Sequence, residues 1–171
     1  MATQMRIKTE LTGVENDLDT SAAEIIRLVK LYIPELLEVY YGHRPIGADD
    51  IVFPCGMLEP KDTPEELHST GKYDIECRYD LFFYFLDNNR DAVTNRATDA
   101  MACLKKLFSN NALNDISGAH SSKFYTNPGY WYGVKITATE ISPVFRWSKN
   151  EQSMYFRAGL FGLNTLDRQI K

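Results

Sequence analysis

Three histidines are the first residues of this 171-residue chain that could hold a metal or carry out catalysis. They are His43, His68 and His120, and each falls in a segment that the sequence predicts to be a loop. A zinc site needs three or four converging ligands, and no local spacing of histidine with cysteine supplies them. We interpret these histidines as surface residues, and the sequence predicts no metal and no cofactor.

The three cysteines are odd in number and far apart in the sequence. Cys77 falls on the apolar face of a predicted strand and Cys103 beside the apolar stripe of a predicted helix, as small core residues do. Cys55 lies in Pro-Cys-Gly, where we expect it to be exposed. An exposed thiol acts as a nucleophile only when a base lies beside it. Neither a disulfide framework nor a zinc site fits this spacing, which favours a reducing cytoplasm.

Carboxylates alternate along one predicted strand. Asp74, Glu76 and Asp80 share a face, with Arg78 between them. Two carboxylates on one face can carry out acid–base chemistry, but an arginine among them neutralises their charge. A solvated face, or one turned toward a neighbouring subunit, fits this pattern better, and the sequence predicts no enzyme.

Aromatic residues cluster late in the chain, at Phe124, Tyr125, Tyr130, Trp131 and Tyr132. They can form a platform for a ligand, but Trp and Tyr are also enriched at protein interfaces, and we interpret the cluster as part core and part interface. Gly159 and Gly162 lie within a predicted strand rather than in a phosphate-binding loop, which indicates a close backbone approach or a bulge.

Composition and charge exclude other classes of protein. The formal net charge is −4 with no basic run, whereas nucleic-acid binding needs clustered Lys and Arg. No apolar run approaches the about 20 residues of a membrane span, and we expect no signal peptide. The length predicts a single domain over residues 1–171, with 1–17 as a mobile arm or an added strand and 164–171 as a C-terminal tail.

The stretch from Tyr73 to Asn111 organises the chain. Every second residue from Tyr73 to Phe85 is apolar, which is the period of a half-buried strand. The opposite face carries charges up to Asp80 and becomes apolar from Phe82 to Leu86. We therefore expect the first half of this strand to have one wet face and the second half to be covered on both faces. At about 45 Å, the strand either bends or projects beyond the sheet.

An amphipathic helix follows this strand directly. Asn88 or Asn89 can cap its N-terminus, and Lys105 and Lys106 stand in the last turn, where cations are favourable. Its apolar residues recur at three- and four-residue spacing. They are Val93, Ala97, Ala100, Met101, Leu104, Leu107 and Phe108.

The segments before the strand are predicted as a helix, a short strand and two loops. The helix begins at 19–21 and keeps its spacing through Leu36 and Leu37 to Tyr40, and Pro34 introduces either a kink or a second short helix. A strand at 51–53 follows. The loop 59–71 is acidic. Two interpretations are open: it projects, with the start of the long strand, toward a partner, or it is a flexible solvated loop.

The segments after the central helix are predicted as strands and loops. A short strand covers 112–116, a loop 117–129, and a strand runs from Tyr132 with a bulge near Thr139. A turn at 148–151 precedes a last strand at 154–163. This order predicts an α+β fold, with a mostly antiparallel β-sheet and two main helices packed on one face.

The order of elements resembles that of the tail terminator and neck terminator (head–tail joining) proteins of tailed bacteriophages. The resemblance rests on the first helix with Ala22–Val29, the long strand Tyr73–Leu86, the helix that ends at Phe108, and the closing Ser153–Leu160. It covers most of the chain between about Thr20 and Leu163. A proline within the first helix and a long loop before the strand depart from it.

The resemblance implies a structural virion protein of the tail or neck, present in the host cytoplasm during assembly. Family members form a ring, usually of six, that caps the completed tail tube, stops polymerisation and joins the tail to the head connector. The implied partners are other copies of the chain and the tail-tube, sheath or connector proteins. DNA would pass through the lumen without specific binding, and negative walls favour this because they repel phosphate.

Nine residues are the expected contacts with a neighbouring subunit or the tube. They are Glu59, Asp62, Glu65, Glu66, Asp74, Glu76, Arg78, Tyr125 and Trp131. Two alternatives remain open. One is another head–tail joining or tail-completion protein of similar fold. The other is a small-ligand-binding protein or enzyme with a cleft near Tyr130–Tyr132, which would be a monomer or dimer with a deep pocket.

Overall fold

The computed structural model describes residues 17–61, 65–69, 72–109, 130–149 and 152–170, with the side chains of 22–61, 76–109, 134–148 and 152–165. Within these ranges, two helices accompany one sheet of seven strands, so the predicted α+β class is confirmed. The elements are α1 (Asp17–Tyr32), β1 (Glu38–Tyr41), β2 (Cys55–Pro60), β3 (Glu65–Ser69), β4 (Lys72–Asp87), α2 (Arg90–Leu107), β5 (Tyr130–Ile141), β6 (Phe145–Lys149) and β7 (Gln152–Ile170).

The strands β4 and β7 form the centre of the sheet. They pair antiparallel without interruption, from Lys72 opposite Ile170 to Asp87 opposite Tyr155. The other edge of β4 is shared by β2 and β3, and the other edge of β7 by β5 and β6. The edge strand β1 pairs with β2, and this is the parallel pair among the described strands. The sheet is therefore mostly antiparallel, as predicted.

Both helices cover the same face of the sheet. The apolar alternation of β4 places Cys77, Tyr79, Leu81, Phe83 and Phe85 on this face, and all five are buried in one cluster with side chains of α1 and α2. The side chain of the N-cap residue of α2, Asn89, accepts hydrogen bonds from two amides of the first turn. The apolar stripe predicted for this helix is buried along its whole length. Its capping and its inward face are thus confirmed.

Two glycines of β7 mark places where the sheet has no room for a side chain. A Cβ atom on Gly159 would overlap the ring of Phe83, and one on Gly162 would lie 2.5 Å from Thr137 Oγ1. The predicted close approach is confirmed at both positions. The register of β5 on β7 shifts between Ile136 and Ala138, so the irregularity expected near Thr139 lies about two residues earlier.

The prediction that the first helix continues past Pro34 is wrong. The helix begins at Asp17, before the expected cap at 19–21, and ends at Tyr32. The Ile33 amide still donates to the Val29 carbonyl at 2.8 Å, but a residue before proline avoids the helical conformation, and proline has no N–H to continue the helix. The chain turns and forms the edge strand β1. The apolar residues at 36–40 therefore have helical spacing but do not form a helix.

Two predictions for the segments before β4 are also wrong. Residues 51–53 are not a strand, because β2 begins at Cys55, after the cis peptide bond between Phe53 and Pro54. The expected loop 59–71 contains β3, which pairs antiparallel with the start of β4. The first half of β4 offers β3 an edge to pair with, and this pairing overrides the polar, loop-like composition of the segment.

The end of the chain contains more strand than predicted. The strand β6 was missed, and it includes Ser148 and Lys149 of the predicted turn. The strand β7 continues to Ile170, so residues 164–170 pair with β4 and are not a tail. Pairing satisfies their backbone groups although their side chains are mostly polar. The predicted arm before Asp17, the strand at 112–116 and the loop at 117–129 lie outside the described residues.

The buried face of α2 predicts the effect of two substitutions. Leu104 is fully buried, whereas Lys106 on the same helix is exposed. Leu104→Ala should lower the free energy of unfolding by about 2–5 kcal/mol through lost burial and a cavity. Lys106→Ala should change it by less than about 0.5 kcal/mol. Urea denaturation measures both, and equal effects would contradict the assigned orientation of the helix.

The contact between Gly159 and Phe83 predicts a second pair. Gly159→Ala should destabilise the fold by about 1–3 kcal/mol, because the added methyl group displaces the ring. Gly47→Ala is the matched control, since a Cβ atom there meets nothing within 4 Å. Combining Gly159→Ala with Phe83→Leu should recover part of the loss in thermal denaturation. A Gly159→Ala variant as stable as the Gly47→Ala variant would disprove the close approach.

Candidate interaction surface

The face of the sheet opposite the helices is charged along its first half. Glu76, Arg78 and Asp80 of β4 are half-buried on this face. Glu76 accepts a hydrogen bond from Asn164 Nδ2 at 2.5 Å and pairs with Arg78 at 3.3 Å, while Asp80 pairs with Lys61 at 3.1 Å. The hydrogen bond to Asp80 raises the pKa of Lys61. Each of the two carboxylates thus has a cation beside it, which is poor geometry for acid–base catalysis and suits a solvated or protein-contacting face.

The sheet continues beyond the described core toward its acidic end. Among the side chains that the structure describes, the buried row nearest this end consists of Cys77, Thr165 and Val134, which are register neighbours. Past this row, β3, the start of β4, the end of β7 and the start of β5 lie side by side. We call β3 together with residues 72–76 of β4 the acidic hairpin, because it contains four carboxylates and one lysine.

The structure brings several of the expected contact residues together in this hairpin. Glu66 is the register partner of Asp74, and Glu65 pairs with the next residue of β4. Glu59 lies on the neighbouring strand β2, opposite Asp80. Trp131 is farther away, on β5, where it pairs with β7 rather than with the hairpin. Asp62 and Tyr125 lie outside the described residues.

The second half of the same face is covered by residues 42–54. Beneath this covering segment lie the buried side chains of Tyr40, Cys55, Met57 and Tyr84, with Ile51 of the segment itself. The expectation that β4 is wet on one face in its first half and covered on both faces in its second half is therefore confirmed over the described side chains.

One tyrosine anchors the covering segment. The Tyr40 hydroxyl accepts a hydrogen bond from the Val52 amide at 3.1 Å and donates to the Asp50 carbonyl at 3.3 Å. The Arg44 guanidinium lies 4.7 Å from the centroid of the same ring and bonds Asp50 Oδ2 at 2.7 Å. Sequence reasoning missed this arrangement, because its residues have no common period and the tyrosine was assigned to a helix.

An exposed aromatic surface borders the covering segment. Phe53 meets Trp147 of β6 edge to face, with 5.8 Å between ring centroids. Phe145 of the same strand is 51% exposed and Val52 is 47% exposed. Adjacent apolar side chains at the surface often mark a protein-binding region. This surface was also missed, because β6 is short and overlaps the predicted turn at 148–151.

The histidines do not form a metal site among the residues that the structure describes, where no group of three or more His, Cys, Asp or Glu side chains is suitably placed. His43 is exposed and meets the edge of Phe82 at 6.1 Å. His68 lies in β3 rather than in a loop, and His120 falls outside the described ranges.

The cysteines are structural rather than reactive. Cys77 is buried as predicted, and Cys103 is half-buried with its thiol 3.5 Å from the Tyr32 carbonyl. Cys55 is fully buried, so its expected exposure is wrong. Burial raises the pKa of the Cys55 thiol to about 12, which keeps it protonated at neutral pH. A protonated, enclosed thiol is not an effective nucleophile.

Neither of the two described helices is long and apolar enough to cross a membrane. No protein-family model matches the chain, and no curated protein sequence matches it. Its function must therefore be inferred from its own residues and their arrangement.

The buried cluster under the covering segment predicts loss of stability at alkaline pH. Burial raises the pKa of Cys55 and of Tyr84 to about 12 each, from ordinary values of 9.0 and 10.0. The unfolded chain releases the Cys55 proton above pH 9 and the Tyr84 proton above pH 10, while the folded chain retains both up to about pH 12. The free energy of unfolding should therefore fall by about 1.4 kcal/mol per pH unit from Cys55 above pH 9, and by about the same amount again from Tyr84 above pH 10.

Urea denaturation between pH 8 and pH 11 tests this dependence. The Cys55→Ala variant removes one of the two groups, so its free energy of unfolding should fall less steeply with pH than that of the unmodified chain. Parallel curves for the two proteins would show that Cys55 does not contribute.

Proposed function

We propose that this protein is a ring-forming structural subunit of a bacteriophage tail, which terminates the tail tube and joins it to the head connector. The observation that supports this most directly is the division of the central sheet into two parts. A helix-covered body holds the hydrophobic core, and the acidic hairpin continues past it on the same strands. A compact body with an acidic extension offers a second surface through which a ring subunit can contact a neighbour.

The order of the elements supports the same proposal. The elements α1, β4, α2 and β7 correspond to the four stretches on which the resemblance rests. The proline after α1 begins an added turn and edge strand rather than disturbing this order. One fold can carry many functions, so the proposed function depends mainly on the exposed surfaces of the chain.

Termination by such a ring depends on unlike surfaces. One surface must bind the last ring of the tube, while another must offer no site for a further tube subunit. This chain has a charged half-sheet around Glu76 and, at the other end of the same strands, an exposed aromatic surface around Phe145. Surfaces of different chemistry bind different partners. Contacts between unlike surfaces of identical subunits close into a ring when the rotation between subunits permits.

Sizing with light scattering, followed by electron microscopy with purified tail tubes, tests the proposal. We expect a species with a mass about six times that of the 19.6 kDa chain, either alone at high concentration or on the tube. Tubes mixed with the protein should stop elongating when free tube subunits are added. Heat-unfolded protein is the control and should leave elongation unchanged.

A strict monomer that fails to bind tail tubes would disprove the proposal. A ring that binds the connector but not the tube would instead favour a different head–tail joining role. A monomer that binds a small molecule near Tyr130–Tyr132 would favour the ligand-binding alternative.

A further inference from the structure

Three arginines come from β6, β7 and the first half of α2, near the same end of β4 and on the helix-covered side of the sheet. The Arg146 guanidinium lies over the ring of Tyr155, 5.8 Å from its centroid. Asp87 is the register partner of Tyr155 and accepts a hydrogen bond from Arg96 at 3.0 Å. Arg157 follows two residues after Tyr155, on the same face of β7. We call Arg96, Arg146 and Arg157 the arginine patch.

The arginine patch has more positive charge than the carboxylate in direct ion-pair contact with it neutralises. Arg157 is half-buried, and it donates to the Ser142 carbonyl at 2.9 Å and the Thr94 carbonyl at 3.4 Å, both of which are neutral acceptors. Among the described side chains, Asp87 is the one carboxylate in an ion pair with the patch, and it pairs with Arg96. Two of the three guanidinium groups, those of Arg146 and Arg157, therefore have no ion-paired carboxylate among the described side chains, although the chain as a whole has a net charge of −4.

The chemistry of the arginine patch identifies the kind of group that would bind it. Guanidinium groups form paired, charge-assisted hydrogen bonds with carboxylates, and they are less strongly hydrated than lysine. Asp91 and Asp99 are exposed on α2, and neither forms an ion pair with the patch within the side chains that the structure describes. The guanidinium N–H groups of the patch that are not in an ion pair are suited to a carboxylate-rich surface of another protein molecule.

The acidic hairpin has charge of the matching sign, with four carboxylates against Lys72, while Arg168 of β7 is the register partner of Asp74. Glu65 and Glu66 lie on β3, and Asp74 lies beside them on β4. Asp74 and Asp87 stand at opposite ends of the same strand, which separates the hairpin from the patch by about 40 Å. The two surfaces can therefore meet only between different copies of the chain.

We propose that the arginine patch of one copy binds the acidic hairpin of a second copy. This contact joins two unlike surfaces, so each subunit uses its patch for one neighbour and its hairpin for the other. Contacts of this kind close into a ring when the rotation between subunits permits. The inference rests on the proposed ring and names the surfaces that hold it together.

Two charge-reversed variants test the contact. The hairpin variant carries Glu65→Lys and Glu66→Lys, and the patch variant carries Arg96→Glu and Arg146→Glu. Arg157 is left unchanged because it also anchors the chain at Ser142 and Thr94. Each variant alone places like charges across the contact and should need at least about tenfold more protein to assemble than the unmodified chain.

An equimolar mixture of the two variants should assemble again. In the mixture, the natural patch of one variant meets the natural hairpin of the other, and the two reversed surfaces also match. Rings with an even number of subunits can then alternate the two variants. Circular dichroism and thermal denaturation confirm that each variant is folded. Should a double variant unfold, Glu66→Lys and Arg146→Glu are used in the same exchange.

The matched control reverses two exposed charges elsewhere on the same helix. Lys105→Glu with Lys106→Glu changes the net charge by as much as the patch variant does, and it should assemble like the unmodified chain. Raising the salt concentration should weaken assembly of the unmodified ring through screening.

Several outcomes would overturn the inference. Variants that each assemble normally, or a mixture that assembles no better than either variant, would show that patch and hairpin do not meet while leaving the ring itself intact. A patch variant that assembles normally but loses binding to a DNA duplex would assign the patch to nucleic acid instead. An unmodified chain that stays monomeric and ignores tail tubes would overturn both the inference and the proposed function.

Discussion

The antiparallel pairing of β4 with β7 is the interaction on which the other parts of the structure depend. It is continuous along the whole of β4, so the two strands satisfy each other's backbone groups from the acidic end to the arginine patch. Its register is fixed by packing as well as by hydrogen bonds, because the Phe83 ring lies where Gly159 has no side chain. A slip of one residue would place a larger residue under that ring and move the core side chains to the other face.

The two faces of β4 explain why one strand serves both the core and a surface. Its odd-numbered residues from Cys77 to Phe85 are buried under both helices, so this face has one environment throughout. Its even-numbered residues change from charged to apolar at Phe82, where the covering segment held by Tyr40 begins. The uncovered half keeps its charges paired within the sheet, which leaves a polar surface that another molecule can contact without exposing the core.

The sequence predicts those elements whose pattern and packing are local. The strand at 73–86 and the helix at 89–108 have a regular period, and over the described side chains each buries the face that its period indicates. The strands β1 and β3 were not predicted, because their own composition does not indicate a strand. They form strands by pairing with a neighbouring strand of the sheet. The Tyr40 arrangement joins residues ten and twelve positions apart without any period. The arginine patch likewise combines α2, β6 and β7, and only the register of the folded sheet brings those elements together.

An acidic chain that assembles with itself has to overcome repulsion between its copies. With a net charge of −4 per subunit, the long-range field between copies is unfavourable, but ions at physiological strength screen it beyond about 8 Å. Opposite charges in direct contact are screened far less, so a local match between arginines and carboxylates can outweigh the net charge. In the proposed ring, each such contact pairs positive with negative charge, so the net charge of −4 per subunit remains on the rest of the surface. A surface of this sign repels the phosphate groups of DNA.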